Sequence, residues 1–177
     1  MTWEQRLFSF LDDIEAQAES AFALERDLEV ADRARGEYAA VHLAERLMAS
    51  VDAEVNCLVL GVGRLGGRLA RVADGWVLME AAEREWVVRI DALTSVRGLS
   101  RRAVPRDAWP VTARLGLPSA LRQIAEDGGA CRIWLVDGTS HDVALERVGA
   151  DFVEAVLVGG GGLVLAFTTI AAVASQA

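Results

Sequence analysis

The chain has 177 residues and a mass of 19.0 kDa, with 26 acidic against 18 basic side chains and a formal charge of −8. That length holds one domain or two small ones, and an apolar content of 53% excludes a disordered chain. The acidic balance argues against general polyanion binding, and two Cys and two His are read as ruling out a Cys/His structural zinc site of the usual four ligands within one chain; no metal is expected.

From the N-terminus, apolar or small residues fall at Trp3, Leu7, Phe10, Ile14, Ala21, Leu24, Leu28 and Ala31, with Gln17 the one gap. A sustained 3.5-residue period describes a seam between helices. Residues 1–36 are therefore expected as a long amphipathic helix. Trp3, Leu7, Phe10, Ile14, Ala21, Leu24 and Leu28 are its expected self-association surface, in a homo-oligomer with a dimer favoured. Gly36 interrupts this helix. A second helical stretch, Glu37 to Ser50, carries Tyr38, Val41, Ala44 and Met48 on one face, so a helical hairpin fits as well. The start lacks a basic region and meets acids by Asp12, unlike a signal peptide. Cys57 and Cys131 sit in apolar runs and read as buried free thiols. A cytoplasmic protein is expected.

After residue 54 the pattern turns to short β-rich runs. Val55–Leu60, Arg68–Val72, Trp76–Glu80, Trp86–Ile90 and Ser95–Leu99 are the first set. Residues 100–117 read as a linker with Pro105 and Pro110. Pro118–Glu126 reads as a short helix, stopped by Asp127-Gly128-Gly129. The second set is Cys131–Val136, Val143–Val148, Phe152–Val158, Leu163–Phe167 and Ala171–Ala174. No charge follows Glu154, a length sufficient to span a bilayer. Gly159 to Gly162 interrupt it, however, and glycine destabilises a helix by about 1 kcal/mol per residue. A buried hairpin with a glycine turn is expected, and no membrane contact.

The two sets look like copies. At a shift of 76, Leu69-Ala70-Arg71-Val72 overlays Leu145-Glu146-Arg147-Val148, and Trp76-Val77 overlays Phe152-Val153. One further inserted residue sets Ile90, Leu93 and Val96 over Phe167, Ile170 and Val173. Two units of one fold, each a helix plus five strands, follow from this match. Five short strands in so few residues suit a small barrel, which removes exposed edges.

The order helix, strand, turn (Val136-Asp137-Gly138), long strand ending Leu145-Glu146-Arg147-Val148-Gly149, hairpin and final strand resembles the Sm-like barrel. Gly63-Arg64 followed by Gly67-Arg68-Leu69 is similar to that family's glycine-bearing strand. The resemblance implies an α+β protein with tandem Sm-like barrels. The parts are the helix over 1–36, a helix plus first barrel over 37–99, the linker, and a helix plus second barrel over 118–177. The family contacts RNA in ring assemblies through Asp and Asn of one loop. Here that loop, Ala73-Asp74-Gly75-Trp76, has no Asn, and Arg89-Ile90-Asp91 and Ala166-Phe167-Thr168 stand where the family has an Arg-Gly pair. The resemblance therefore implies the fold and not RNA binding at that site.

Three constellations bear on chemistry. Gly61-Val62-Gly63-Arg64-Leu65-Gly66 follows an apolar strand, and with Glu80 as ribose acid it forms a dinucleotide-type pattern. It needs Leu65–Val72 to be a helix, whereas the internal match makes it a strand, so Gly61, Gly63, Gly66 and Glu80 are an alternative only and no cofactor is expected. Arg97, Arg101, Arg102 and Arg106 with Trp109 form the densest basic run, a type that binds single strands by charge and stacking. His42 and His141 lie near acids, but no nucleophile motif accompanies them. The sequence points to a non-enzymatic structural or interaction protein that self-associates through its N-terminal helix. A nucleic-acid-binding module is the next alternative, and a dinucleotide-binding protein the third.

Overall fold

The computed structural model describes residues 32–175 and, ahead of them, Trp3, Phe10, Gln17, Glu19, Phe22, Arg26, Glu29 and Val30. The chain divides into two units, Met1–Val41 and His42–Ala177. In the first, 32–39 are helical, Arg35 pairs with Asp32 at 3.2 Å, and every described residue as far as Ala40 is exposed. A helical seam is stable only where its apolar stripe is covered. Trp3 and Phe10, two expected seam residues, are 66% and 59% exposed. Leu7, Ile14, Ala21, Leu24 and Leu28 lie outside the described residues. The described helices are short, and the long N-terminal coiled coil of the expected architecture is corrected accordingly.

In the second unit, α1 (Leu43–Met48) buries Ala44 and Leu47 and is capped where the Glu45 carboxylate accepts from the His42 N–H at 2.9 Å. Five strands follow: β1 (Glu54–Val59), β2 (Gly63–Ala73), β3 (Trp76–Ala81), β4 (Arg84–Arg89) and β5 (Leu93–Arg97). After α2 (Leu117–Glu126) come β6 (Ala130–Leu135), β7 (Ser140–Val148), β8 (Phe152–Leu157), β9 (Gly162–Ala166) and β10 (Ile170–Ser175). Alternation is visible in β1, where Val55, Cys57 and Val59 are buried and Glu54, Asn56 and Leu58 are not.

All ten strands form one antiparallel sheet in the order β5-β1-β2-β3-β4-β10-β6-β7-β8-β9. Two closed five-stranded barrels are thus corrected to one open sheet. The physical reason lies at β4. Its outer edge pairs with β10, Val88 opposite Ala172 and Trp86 opposite Ala174, so its backbone groups are satisfied by the other set of strands. The sheet ends instead at β5 and β9.

Within that sheet the register repeats. Leu69 faces Met79 and Arg71 faces Leu78 around a bulge, and Leu145 faces Ala155 and Arg147 faces Glu154 around another, each partner 76 positions later. Leu58 faces Ser95 and Val59 faces Leu93, as Trp134 faces Ala172 and Leu135 faces Ile170. β2 starts at Gly63, earlier than alternation suggested, because its glycines carry no apolar side chain for a pattern to show.

Two hydrophobic clusters fill the unit. One gathers Leu47, Val55, Leu69, Val77, Met79, Trp86 and Val88 with Ala171, Ala172 and Ala174 of β10. The other gathers Leu121, Ile133, Val143, Leu145, Val153, Leu165, Ile170 and Val173 with Trp76 and Val87 of the first set. The expected linker packs as well: Trp109 is buried, its indole N–H donates to the Val104 carbonyl at 2.9 Å, and that of Trp76 donates to the Leu115 carbonyl at 2.9 Å. Among the described residues no helix is long and apolar enough to cross a membrane.

Gly61 has φ +75, and a Cβ there would overlap the Leu135 carbonyl oxygen at 1.9 Å. Gly75, φ +82, has open space around it. Gly75→Ala should therefore lose about 1 kcal/mol from its left-handed backbone alone, and Gly61→Ala should lose clearly more because the backbone of β6 must also move. Urea unfolding of the two variants measures the difference; equal losses would show that the Leu135 contact yields freely.

Candidate functional site

The β4–β10 junction is built from three kinds of contact. Main-chain pairing joins Trp86, Val87 and Val88 to Ala174, Val173 and Ala172. The Arg89 guanidinium, mostly buried, donates to the carbonyls of Phe167 (2.8 Å), Thr168 (2.6 Å) and Ile170 (3.0 Å). The Trp86 and Trp134 rings lie 4.7 Å apart between centroids. Ala172 and Ala174 are the small residues that leave room for this ring pair.

The repeated register locates the same grid positions at the ends of the sheet. Adding 76 or 77 to each number, β9 corresponds to β4 and β5 to β10. β9 reads Gly162-Leu163-Val164-Leu165-Ala166 and carries no charge. Leu165 is buried and Val164 is 63% exposed, with exposed Phe152 and Val158 on the neighbouring strand and hairpin. β5 differs: Thr94, Ser95 and Arg97 are exposed, and Ser95 and Arg97 occupy the places that Ala172 and Ala174 hold at the junction. A charged edge resists strand addition, whereas an apolar edge invites it.

Beside the β5 edge the outer face of β5, β1 and β2 is concave, a groove of about 490 Å³ lined by Asn56, Leu58, Arg64, Ser95 and Arg97. Asn56 lies between Arg97 and Gly66, and Leu58 between Ser95 and Arg64. A Cβ on Gly66 would stand 2.6 Å from Asn56 Oδ1, so the glycine lets the carboxamide lie across β2. At the equivalent place in the second set, Arg132 forms a two-pronged pair with Asp142, both contacts 2.6 Å. The carboxylate raises the Arg132 pKa by hydrogen bonding and charge, so this cation is neutralised within the chain.

The sequence-derived site residues are dispersed. Arg106 pairs with Asp74 at 3.1 Å and lies 5.5 Å above the Trp109 ring, which is itself buried and closed to a stacking base. Arg101 and Arg102 are exposed on the following segment, and Arg97 sits across the sheet in the β5 groove. Leu65–Val72 lies wholly in β2, so no helix N-terminus stands behind Gly61, Gly63 and Gly66, and Glu80 is held by Arg68 at 2.6 Å. Arg64 and Asn56 were not singled out by sequence; their positions on neighbouring strands were the only signal available. His42 caps α1 by its main chain. Asp137, near His141, is held below the usual carboxylate range by hydrogen bonds from Thr139 and is thereby engaged in its own turn.

Compared with protein-family models and with curated proteins, the chain matches none.

Cys57 and Cys131 are free and buried, and burial pushes both thiols up to about 11. Cys57 Sγ lies 3.8 Å from Met79 Sδ. These are the opposite of activated nucleophiles. Since the unfolded thiols ionise near 9.0, their contribution to stability is complete below that pH and drains away as pH rises toward 11. Thermal melts across that window should fall for the wild type and fall less for a Cys57→Ala, Cys131→Ala variant. At neutral pH a disulfide reagent should modify neither thiol until the chain unfolds. Arg89→Ala, leaving three carbonyls without their donor, should lower stability by about 2–4 kcal/mol in urea.

Proposed function

We propose that the protein is a structural interaction protein, not an enzyme, that pairs with a second copy of itself through β9. The observation that carries this is the uncharged open edge of β9 on a sheet whose other end is guarded by Arg97. β9 is self-complementary. Antiparallel pairing centred on Val164 sets Val164 against its partner's Val164, Leu163 against Leu165, and Gly162 against Ala166. Leu163 and Leu165 belong to the second hydrophobic cluster, so a two-fold pair makes that cluster continuous across the interface. Such an isologous contact is the commonest way for identical chains to associate.

The resemblance to the Sm-like family implies a ring instead, in which β9 would join β5 of the next copy. The chemistry of β5 weighs against it. In the chain's own junction the place facing Trp86 is Ala174, 1% exposed. At β5 that place is Arg97, and closing a strand over it buries an unpaired guanidinium. Leaving a buried charge unpaired costs on the order of 3–5 kcal/mol, against about 1 kcal/mol gained per new main-chain bond. The two-fold pair buries no charge at all on either β9.

Sedimentation measures the proposal. The wild type should run as a dimer and Val164→Lys as a folded monomer, while Val96→Pro, which removes an outward-facing N–H of β5, should leave the dimer intact. A monomeric wild type, or a Val164→Lys dimer, removes the β9 contact; loss of the dimer in Val96→Pro would favour the ring.

A further inference from the structure

We infer that the β5 edge and its groove form a second binding site, for an extended acidic segment of a partner protein, with Arg64 and Arg97 receiving its carboxylates. The argument starts from charge. Among the described residues, Arg68, Arg89, Arg106, Arg132 and Arg147 each have an acidic partner. Arg64 and Arg97 have none, and both are exposed in one concavity. They stand two strands apart, about 10 Å by ordinary sheet spacing, and two residues apart in register, about 7 Å along the strands. Side chains of arginine length converge readily over that separation.

The second copy shows what ligand chemistry this grid position takes. There Arg132 is forked by Asp142, and the residue matching Asp142 in the first copy is Gly66. The first copy thus keeps guanidinium groups on this face and lacks the carboxylate. Asn56, in the place of Arg132, lies over Gly66 and adds amide donors. A planar guanidinium fork matches a carboxylate in two-pronged fashion.

The edge supplies the rest. β5 pairs only with β1, so the outer row of its backbone N–H and C=O groups is free to pair with an added strand. An extended segment with acids at alternate positions places every second side chain, each an acid, on the groove face toward Arg97, and turns the intervening residues to the other face. Single-stranded nucleic acid fits less well. It needs aromatic platforms for its bases, and the groove lining contains no aromatic ring.

The test titrates four probes onto the full chain: a labelled peptide alternating glutamate and valine, its glutamine–valine counterpart, inorganic phosphate, and a single-stranded oligothymidylate. The glutamate peptide should bind about tenfold or more tighter than the glutamine peptide, and should weaken with added salt. Arg64→Ala and Arg97→Ala, whose melting should match the wild type, should each weaken it about tenfold. Gly66→Ala should weaken it less, by displacing the Asn56 carboxamide. Val96→Pro, which removes an outward-facing N–H of β5 and leaves the Leu58–Ser95 pairing to β1 intact, should abolish peptide binding while sparing weak phosphate binding. Absence of peptide binding, equal binding of the two peptides, or indifference to both arginines overturns the proposal. Phosphate binding as tightly as the peptide reduces the groove to a simple anion site, and tighter, arginine-dependent oligothymidylate binding assigns it to nucleic acid; either result also overturns it. The β9 contact lies at the other end of the sheet, so dimer measurements and peptide titrations fail independently.

Discussion

The pairing of β4 with β10 is the contact on which the rest of the second unit depends. A strand in a sheet exposes two rows of backbone groups, and each row left unpaired in the interior costs free energy. β10 satisfies β4 on one side and β6 on the other. It also divides its side chains between two cores: Ala172 and Ala174 face the first, Ile170 and Val173 the second. One strand thereby welds ten into a single sheet. Small side chains are required on the face toward Trp86, since the Trp86–Trp134 ring pair fills the space above them. Shape wins over hydrogen bonding here, because the Trp86 indole N–H is buried without a partner, a loss of about 1–3 kcal/mol that ring burial of this size offsets.

Because the joint uses the fourth strand of one set and the fifth of the other, it leaves a fifth strand and a fourth strand at the two ends. The ends are equivalent to the joint in register and unlike it in chemistry. β9 keeps the apolar character of a strand meant to be covered. β5 replaces two buried alanines by Ser95 and Arg97 and shows Leu58 where the joint has Trp134. The two surfaces therefore suit different occupants, one apolar and one anionic. Head-to-tail addition of β9 to β5 would bury Arg97 without a counter-ion, an energetic cost that two ends of like chemistry would not carry.

The strands were legible because alternation and turn residues are local properties. The repeat was legible because the two sets keep the same bulges, at Ala70 and Glu146, and hence the same spacing of apolar positions. Closure was not legible. Alternation says which face of a strand is buried and is silent on which edge finds a partner. One signal did exist: Ile170-Ala171-Ala172-Val173-Ala174 is apolar at every position and buried at every position. A strand without alternation has both faces covered, which a strand between two cores must have. The N-terminal period misled for a different reason. A 3.5-residue repeat describes a surface that wants a partner, and it reads the same whether or not one is present.

The binding groove was hidden from sequence for a reason that also explains its character. The dense run Arg97, Arg101, Arg102 and Arg106 looks like a site because its charges are neighbours in the chain. The fold separates them: one meets Asp74, and one crosses to the groove. Arg64 lies 33 positions before Arg97 and meets it only because β1 runs between β2 and β5. A net charge of −8 obscures the point further, since it averages over a surface on which some arginines, Arg68, Arg106 and Arg132 among them, have a carboxylate alongside and others do not. What distinguishes Arg64 and Arg97 is that two arginines without a carboxylate line one groove, at a place where the duplicate half of the molecule supplies an aspartate. Comparison of the two halves position by position therefore locates the site better than any count of charges along the chain.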